Sequence, residues 1–187
     1  MSKLLVYSLL IISFIIGLGA GYTLTPEYAS TMRSEKVAMA PLGKADRFID
    51  QRYLNGVIAH HLTAIDLAKQ ALEKSHREEI RTLSEEIIKS DEASIKQLMA
   101  YKLSWYKDGR LVNDFNRINL GNNDKRFDLR FLNALISHHD EAIETAKEIS
   151  GKSTRDEVLN LADNINQSLW KNKLVLEQWR HDWYAID

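Results

Sequence analysis

Four of the six histidines in this chain of 187 residues occur as two adjacent pairs in matched sequence contexts. His60 and His61 lie in the stretch IAHHLTAIDLAK, and His138 and His139 lie in ISHHDEAIETAK. Imidazole is the commonest metal-binding side chain in proteins, and it binds in its neutral form. The two pairs are therefore candidate ligands of a metal ion, with hydrogen bonding inside a polar core as the alternative interpretation.

The histidine pairs belong to an internal duplication with an offset of 78 residues. Residues 46–106 align with residues 124–184 without a gap, and identical residues are spread along both copies. Each copy has the apolar periodicity of two helices joined by a turn. The four helices are predicted at 46–73, 76–106, 125–150 and 154–184. Because two long helical hairpins that face each other make a four-helix bundle, the predicted fold class is all-α.

Polar residues and a glycine suggest where the predicted helices begin and end. Asp46 and Asp124 are predicted N-caps of the first helix in each copy. Ser75 with Glu78 has the spacing of a capping box for the second helix. Gly151 suits the left-handed residue that often follows a helix.

Helical periodicity places both histidine pairs on the apolar, inward face of the first helix of each copy. His61 lies fourteen residues before the turn at Ser75, so its antiparallel neighbour lies about fourteen residues after the turn. Asp91 lies at that height and is the only charged residue on its inward stripe, whereas copy two has Leu169 there. We expect four imidazoles and one carboxylate near a pseudo-twofold axis. The predicted metal ligands are His60, His61, His138, His139 and Asp91.

The alternative needs no metal ion. A buried imidazole must hydrogen-bond or bind something, because an unpartnered buried polar group costs free energy. Asp91, Asn55, Asn133 or a trapped water would then satisfy the rings.

The N-terminus is predicted to be a separate segment. Leu4 to Tyr22 contains no charged residue and approaches the roughly 20 residues that span a bilayer. Residues 1–24 are therefore predicted to be an uncleaved transmembrane anchor, with a cleaved export signal ending near Gly19-Ala20-Gly21 as the alternative. Residues 25–45 hold both prolines and are interpreted as a linker. The bundle is expected on the periplasmic or extracytoplasmic side of the inner membrane, or secreted if the anchor is cleaved.

Composition excludes several classes of function. The chain has no cysteine, which rules out disulfides, zinc fingers and thiol catalysis. A net charge of −1 gives no reason to expect a nucleic-acid partner. The Glu73-x-x-His76 spacing lies at a predicted turn rather than on a core helix, and no nucleophile is evident, so we predict no enzyme. Residues 107–123 are expected to cross along the outside of the bundle, packed against it or carrying a short helix.

The repeated motif resembles that of a duplicated, ferritin-like domain-of-unknown-function family of exported bacterial proteins that includes the CopM-like copper-binding proteins. The motif appears as YLNGVIAHHLTAIDLA in copy one and as FLNALISHHDEAIETA in copy two, and the resemblance covers residues 46–184. It implies a ferritin-like bundle and copper binding at the histidine pairs.

This chain departs from that family at positions where the pattern has methionine. Those positions hold Val57, Leu67 and Leu98 in copy one and Leu135, Thr145 and Leu176 in copy two. Thioethers suit Cu(I), whereas imidazole and carboxylate suit Cu(II), Zn or Ni. The expected function is buffering or delivery of a divalent metal ion, and the family resemblance implies copper. The alternative is a structural or interaction bundle that docks on a membrane complex or assembles with itself.

Overall fold

The computed structural model describes residues 41–186, which form four helices and no strand. The helices are α1 (Ile49–Lys74), α2 (Glu78–Tyr106), α3 (Phe127–Ser150) and α4 (Asp156–Tyr184). Each predicted helix is present and begins two or three residues later than the periodicity indicated. The predicted anchor, residues 1–24, and most of the predicted linker lie outside the described residues. None of the helices between residues 41 and 186 is long and apolar enough to cross a membrane.

The predicted caps differ from the observed helix ends. Asp46 is not the N-cap of α1, because its carboxylate accepts hydrogen bonds from the backbone of Phe48 (2.9 Å) and from Arg52 (2.9 Å) in the turn before the helix. Ser75 likewise bonds to the Arg77 amide at 3.2 Å and forms no capping box with Glu78. These polar residues order the turns that lead into the helices rather than the helix ends themselves.

Two predictions about the ends of α3 in copy two were also wrong. Asp124 accepts from the backbone of Arg126 at 2.8 Å and from Arg130 at 3.0 Å, ahead of the helix. Gly151 has φ −89° and ψ −1°, so it continues the right-handed turn instead of reversing it. Left-handed glycines do occur three residues before each copy, at Gly43 (φ 71°) and Gly121 (φ 76°).

The two hairpins meet along α1 and α3, which run antiparallel. At one end of this pair, the Lys74 ammonium donates to the Gly121 carbonyl at 2.9 Å. At the other end, the Lys152 ammonium donates to the Gly43 carbonyl. Because the two bonds join residues at equivalent positions in opposite copies, they define a pseudo-twofold axis through the middle of α1 and α3.

The same symmetry governs the aromatic ends of α2 and α4. Arg155 pairs with Asp50 at 3.3 Å and lies 4.2 Å over the ring of Trp105. The equivalent Arg77 pairs with Asp128 at 3.5 Å and lies 4.1 Å over the ring of Trp183. Each arginine therefore belongs to one copy and contacts the start of the first helix and the end of the second helix of the other copy. These contacts fix the two hairpins relative to each other.

The connection between the copies, 107–126, is an extended segment packed on α1. Gln70 holds it from both sides: its amide donates to the Ile118 carbonyl at 2.7 Å, and its carbonyl accepts from the Leu120 amide at 3.0 Å. The Thr63 hydroxyl donates to the Asn116 carbonyl at 3.0 Å. The packed alternative of the prediction is therefore observed, and α1 is covered on the side away from α2 and α4.

Candidate metal centre

The paired histidines lie near the middle of α1 and α3, where the two central helices cross the pseudo-twofold axis. The helices expose little of their surface here because α2, α4 and the connection cover them, so apolar side chains such as Leu54 and Leu132 are completely buried. His60, His138 and His139 are buried, with 8%, 1% and 6% of their surface exposed. His61 is partly buried. The inward orientation expected from periodicity is therefore observed for both pairs.

His60 and His138 stack face to face across the axis. Their ring centroids are 3.6 Å apart and their planes are inclined by 10°. These two residues occupy equivalent positions, 78 apart, and equivalent residues can touch only on the symmetry axis. The nitrogen Nε2 of His138 lies 3.1 Å from the backbone carbonyl of His60. Because a carbonyl only accepts, Nε2 carries the proton and the Nδ1 of His138 keeps its lone pair.

His61 lies beside the carboxylate predicted from the hairpin geometry. Its Nδ1 is 3.1 Å from Oδ2 of Asp91, and both side chains are 16% exposed. The ring orientation gives no hydrogen bond despite this distance. Two ligands that each lie about 2.0 Å from one ion are about 3.3 Å apart in a tetrahedral site and about 2.8 Å apart when adjacent in a square-planar site. The pair therefore has the spacing of two ligands of a common ion.

The equivalent region of copy two differs in chemistry. His139 has no carboxylate in the place of Asp91, because that position is Leu169. Instead, Lys173 lies near and pairs with Asp140 at 2.6 Å. Lys173 replaces Ile95 of copy one. The duplication thus supplies two matched imidazole pairs, but the position of Asp91 holds a carboxylate in copy one only.

Burial keeps three of the imidazoles neutral. Burial, together with the nearby His138, holds the pKa of His60 well below its usual value of 6.5. Burial also lowers the pKa of His138 to about 3 and the pKa of His139 to about 4, the latter against the opposing effect of Asp91. A neutral imidazole has the lone pair that a metal ion needs, so these rings are ready to bind at neutral pH.

The four histidines also share an unsatisfied atom. The Nδ1 of each of the four is buried and has no hydrogen-bond partner. The side-chain oxygen of Asn133 accepts a hydrogen bond from Arg180 at 3.3 Å. Trapped water or a bound ion can satisfy such buried atoms, and here four of them lie at equivalent positions of the two copies.

The donor atoms fit a metal ion in type and in protonation state, but they are not gathered around one point. Among residues 41–186, no three His, Asp or Glu side chains converge on a common position. His60 and His61 have ring centroids 5.9 Å apart, and His138 and His139 are 6.5 Å apart. The arrangement therefore provides pairs of ligands, and rotation of the rings is needed to bring a third ligand to one ion.

A deep groove leads from solvent to these rings. It has a volume of about 1400 Å³, with α1 and α3 as its floor and α2 and α4 as its walls. His60, His61, His139 and Asp91 all line it, whereas His138 lies beneath His60. The residues predicted as ligands are thus brought to one region, and four of the five face an open path.

Sequence reasoning missed two features of this site. The stacking of His60 on His138 follows from the duplication, because an antiparallel crossing of two equivalent helices must bring one pair of equivalent residues together. The Lys173–Asp140 pair could have been sought where the two copies differ in sequence, because copy two has Lys173 at the position of Ile95.

The fold and the site define a class of protein, in which a helical hairpin is duplicated and each copy carries a pair of imidazoles. The family model described as a domain of unknown function, DUF305, matches residues 26–102, 50–126 and 128–186. The chain belongs to the DUF305 family.

Solved structures of a CopM protein are similar to this chain. CopM in the Cu(I)-bound form has 30% sequence identity and a TM-score of 0.64, over 72% of this chain and 97% of that chain. CopM in the Cu(II)-bound form has 26% identity and the same TM-score and coverage. CopM in the Ag-bound form, obtained by co-crystallization, has 30% identity with a TM-score of 0.64 over 72% and 97%. No curated protein sequence is a significant match.

Proposed function

We propose that this protein is a copper-binding helical bundle that buffers or delivers the ion outside the cytoplasm. The observation that carries the proposal is the set of four buried Nδ1 atoms without hydrogen-bond partners, three of them on imidazoles that burial keeps neutral. The solved structures similar to this chain include CopM with Cu(I), Cu(II) and Ag bound. His60, His61, His138 and His139, with Asp91, are the proposed ligands.

The donor set favours Cu(II) over Cu(I). Imidazole nitrogen and carboxylate oxygen are borderline and hard donors, whereas Cu(I) prefers thioether and thiolate sulfur. The groove around the histidines is lined by Val57, Leu98, Leu135 and Leu176 and by no methionine. The same donors accept Zn(II) or Ni(II), so the order of affinity among these ions is expected to follow the usual preference for Cu(II).

Calorimetric titration tests the proposal. The purified protein is expected to bind about one Cu(II) per chain at micromolar concentration, by analogy with small imidazole sites. Alanine at all four paired histidines should abolish this binding while circular dichroism reports whether the helices remain. The matched control is His76→Ala/His181→Ala, which removes two exposed histidines. No heat of binding from the native protein would reject the proposal.

We further propose that the bundle is tethered to the inner membrane by residues 4–22, which carry no charge. The length of this run is the support, since about 20 apolar residues span a bilayer. Fractionation of cells that express the full chain is the test. The protein should sediment with membranes and resist alkaline extraction, and a soluble protein whose N-terminus begins after residue 20 would instead indicate cleaved export.

A second candidate function is supported by the outer surface of α4. Trp170 and Leu174 are 53% and 52% exposed on this helix. Large exposed apolar side chains are typical of contact surfaces when they cluster. In this case the bundle would dock on a membrane complex or on a second copy. A stoichiometric partner that stays bound in the presence of a chelator would favour this candidate.

A further inference from the structure

The groove between α2 and α4 has walls of unequal charge. Five carboxylates line it, and a single ammonium, that of Lys171, opposes them. Glu78, Glu79, Glu86 and Asp91 belong to the α2 wall, and Glu157 belongs to the α4 wall. The groove therefore carries a negative potential, which concentrates cations and excludes anions.

The imbalance arises where the two copies have diverged. The middle of the α2 wall has Glu86 and Asp91, and the equivalent α4 positions are Asn164 and Leu169. Lys171 lies on α4 where α2 has Ala93. A cation that enters the groove is thus attracted more strongly to the α2 wall than to the α4 wall, where Lys171 offsets Glu157.

The floor of the groove supplies the reason for a cation to enter. His60 and His139 line the groove, each more than nine-tenths buried, and the Nδ1 of each has no hydrogen-bond partner. Asp91 lies where the α2 wall meets this floor and approaches His61 to 3.1 Å. The acidic wall therefore ends at the first carboxylate–imidazole pair of the candidate site.

We propose that the α2–α4 groove is the entry route of the metal ion and that the acidic α2 wall steers the hydrated cation to Asp91 and His61, the first ligands it meets. This inference rests on the proposed function and adds the direction of loading: copy one captures the ion before the rings of copy two close on it. Glu79 and Glu86 act on the rate of arrival and touch none of the proposed ligands. Charge in a groove of low dielectric raises association rates by roughly 10-fold to 1000-fold in favourable cases.

A matched pair of double variants separates steering from net charge. Glu79→Gln/Glu86→Gln removes two charges that line the groove, at positions seven residues apart on α2. Glu85→Gln/Glu92→Gln removes two charges with the same spacing on the same helix, and neither residue lines the groove. Both variants change the net charge equally, so a difference between them reports the position of the charges.

Stopped-flow mixing of the full chain with Cu(II) measures the association rate constant at several ionic strengths. The groove variant is expected to bind about threefold to tenfold more slowly at low salt, with an unchanged dissociation rate, and the outer variant within about 1.5-fold of native. The difference should vanish near 1 M salt, where the Debye length is about 3 Å. Thermal unfolding of both variants checks that the bundle is intact.

The outcomes distinguish the two proposals. If Cu(II) binds in a histidine-dependent manner and the two double variants associate at the same rate, the steering inference is wrong and the metal site stands. If the native protein binds no Cu(II), both are wrong. A slower rate in the groove variant that persists unchanged at 1 M salt also overturns the inference, because screening must remove an electrostatic effect.

Discussion

The imidazole rings of His60 and His138 are stacked, with centroids 3.6 Å apart and an angle of 10° between their planes. The contact joins equivalent residues of the two copies, so it lies on the pseudo-twofold axis of the bundle. A proton on either ring would place a positive charge against its neighbour in a dry interior, which is unfavourable. The stacked pair is therefore held neutral, and its Nδ1 atoms remain without hydrogen-bond partners.

The buried histidines predict that the metal-free protein loses stability in mild acid. Burial depresses the pKa of His138 to about 3 and that of His139 to about 4, below the 6.5 of the unfolded chain. Between pH 6.5 and pH 4 the unfolded chain binds more protons, so the free energy of unfolding falls as the pH falls. We expect a loss of about 1 kcal/mol per pH unit for each of these two residues, and a loss in the same direction from His60, whose pKa burial also lowers.

Urea unfolding at pH 6.5 and pH 5.0 measures this dependence above the range in which most carboxylates titrate. His139→Leu should make the dependence shallower because it removes one of the three imidazoles whose pKa burial lowers. His181→Ala, which removes an exposed histidine, should leave it unchanged. Equal stability of the native protein at both pH values would contradict the burial of neutral imidazoles.

Asp91 is predicted to contribute to metal affinity through its charge. Asp91→Asn keeps the shape of the side chain and removes the charge that lies 3.1 Å from His61. We expect Cu(II) affinity to fall by at least the roughly 10-fold to 100-fold that follows loss of a residue hydrogen-bonded to a metal ligand. Competition with a chromophoric chelator measures it. Glu92→Gln is the control next in sequence, and equal affinities of the two variants would remove Asp91 from the ligand set.

A single thioether is predicted to shift the site toward Cu(I). Leu135 lies one helical turn before His139 and lines the groove. Leu135→Met preserves the volume of the side chain, costs less than about 1.5 kcal/mol of stability, and adds a soft donor near the imidazoles. The affinity for Cu(I) relative to Cu(II) should rise. Leu132→Met, at a core position that does not line the groove, should leave that ratio as in the native protein.

The turn before α3 is predicted to require glycine. Gly121 has φ 76°, a conformation that costs a residue with a side chain roughly 1–2 kcal/mol. Its carbonyl also accepts the Lys74 bond that joins the two hairpins. Gly121→Ala should lower the free energy of unfolding by about 1 kcal/mol, whereas Gly109→Ala, at a position without positive φ, should change it little. Chemical denaturation compares the two, and equal effects would contradict the role of this turn.

The number and approximate bounds of the helices could be predicted from the sequence. Apolar residues recur with a period of about 3.6 residues, and the same pattern appears in both copies. The caps could not be predicted, because Asp46 and Asp124 satisfy Arg52 and Arg130 in turns that tertiary contacts create. Local capping patterns contain no information on such partners.

Part of the candidate site could also be predicted from the sequence. Counting residues from the turn at Ser75 placed Asp91 level with His61, and the two side chains are in contact. The stack of His60 on His138 depends on where α1 and α3 cross, which periodicity within one helix does not contain. The unequal walls of the groove emerge only when the differences between the two copies are mapped onto helices that face each other.

Pulsed electron paramagnetic resonance of the protein loaded with one equivalent of Cu(II) tests most directly whether the paired histidines bind the ion. This measurement detects the remote nitrogen of each imidazole that binds the ion. We predict coupling of Cu(II) to two or more imidazoles. The coupling should be retained in His76→Ala/His181→Ala and lost when the four paired histidines, His60, His61, His138 and His139, are replaced. A spectrum without imidazole coupling, or one that survives loss of the four paired histidines, would contradict this prediction.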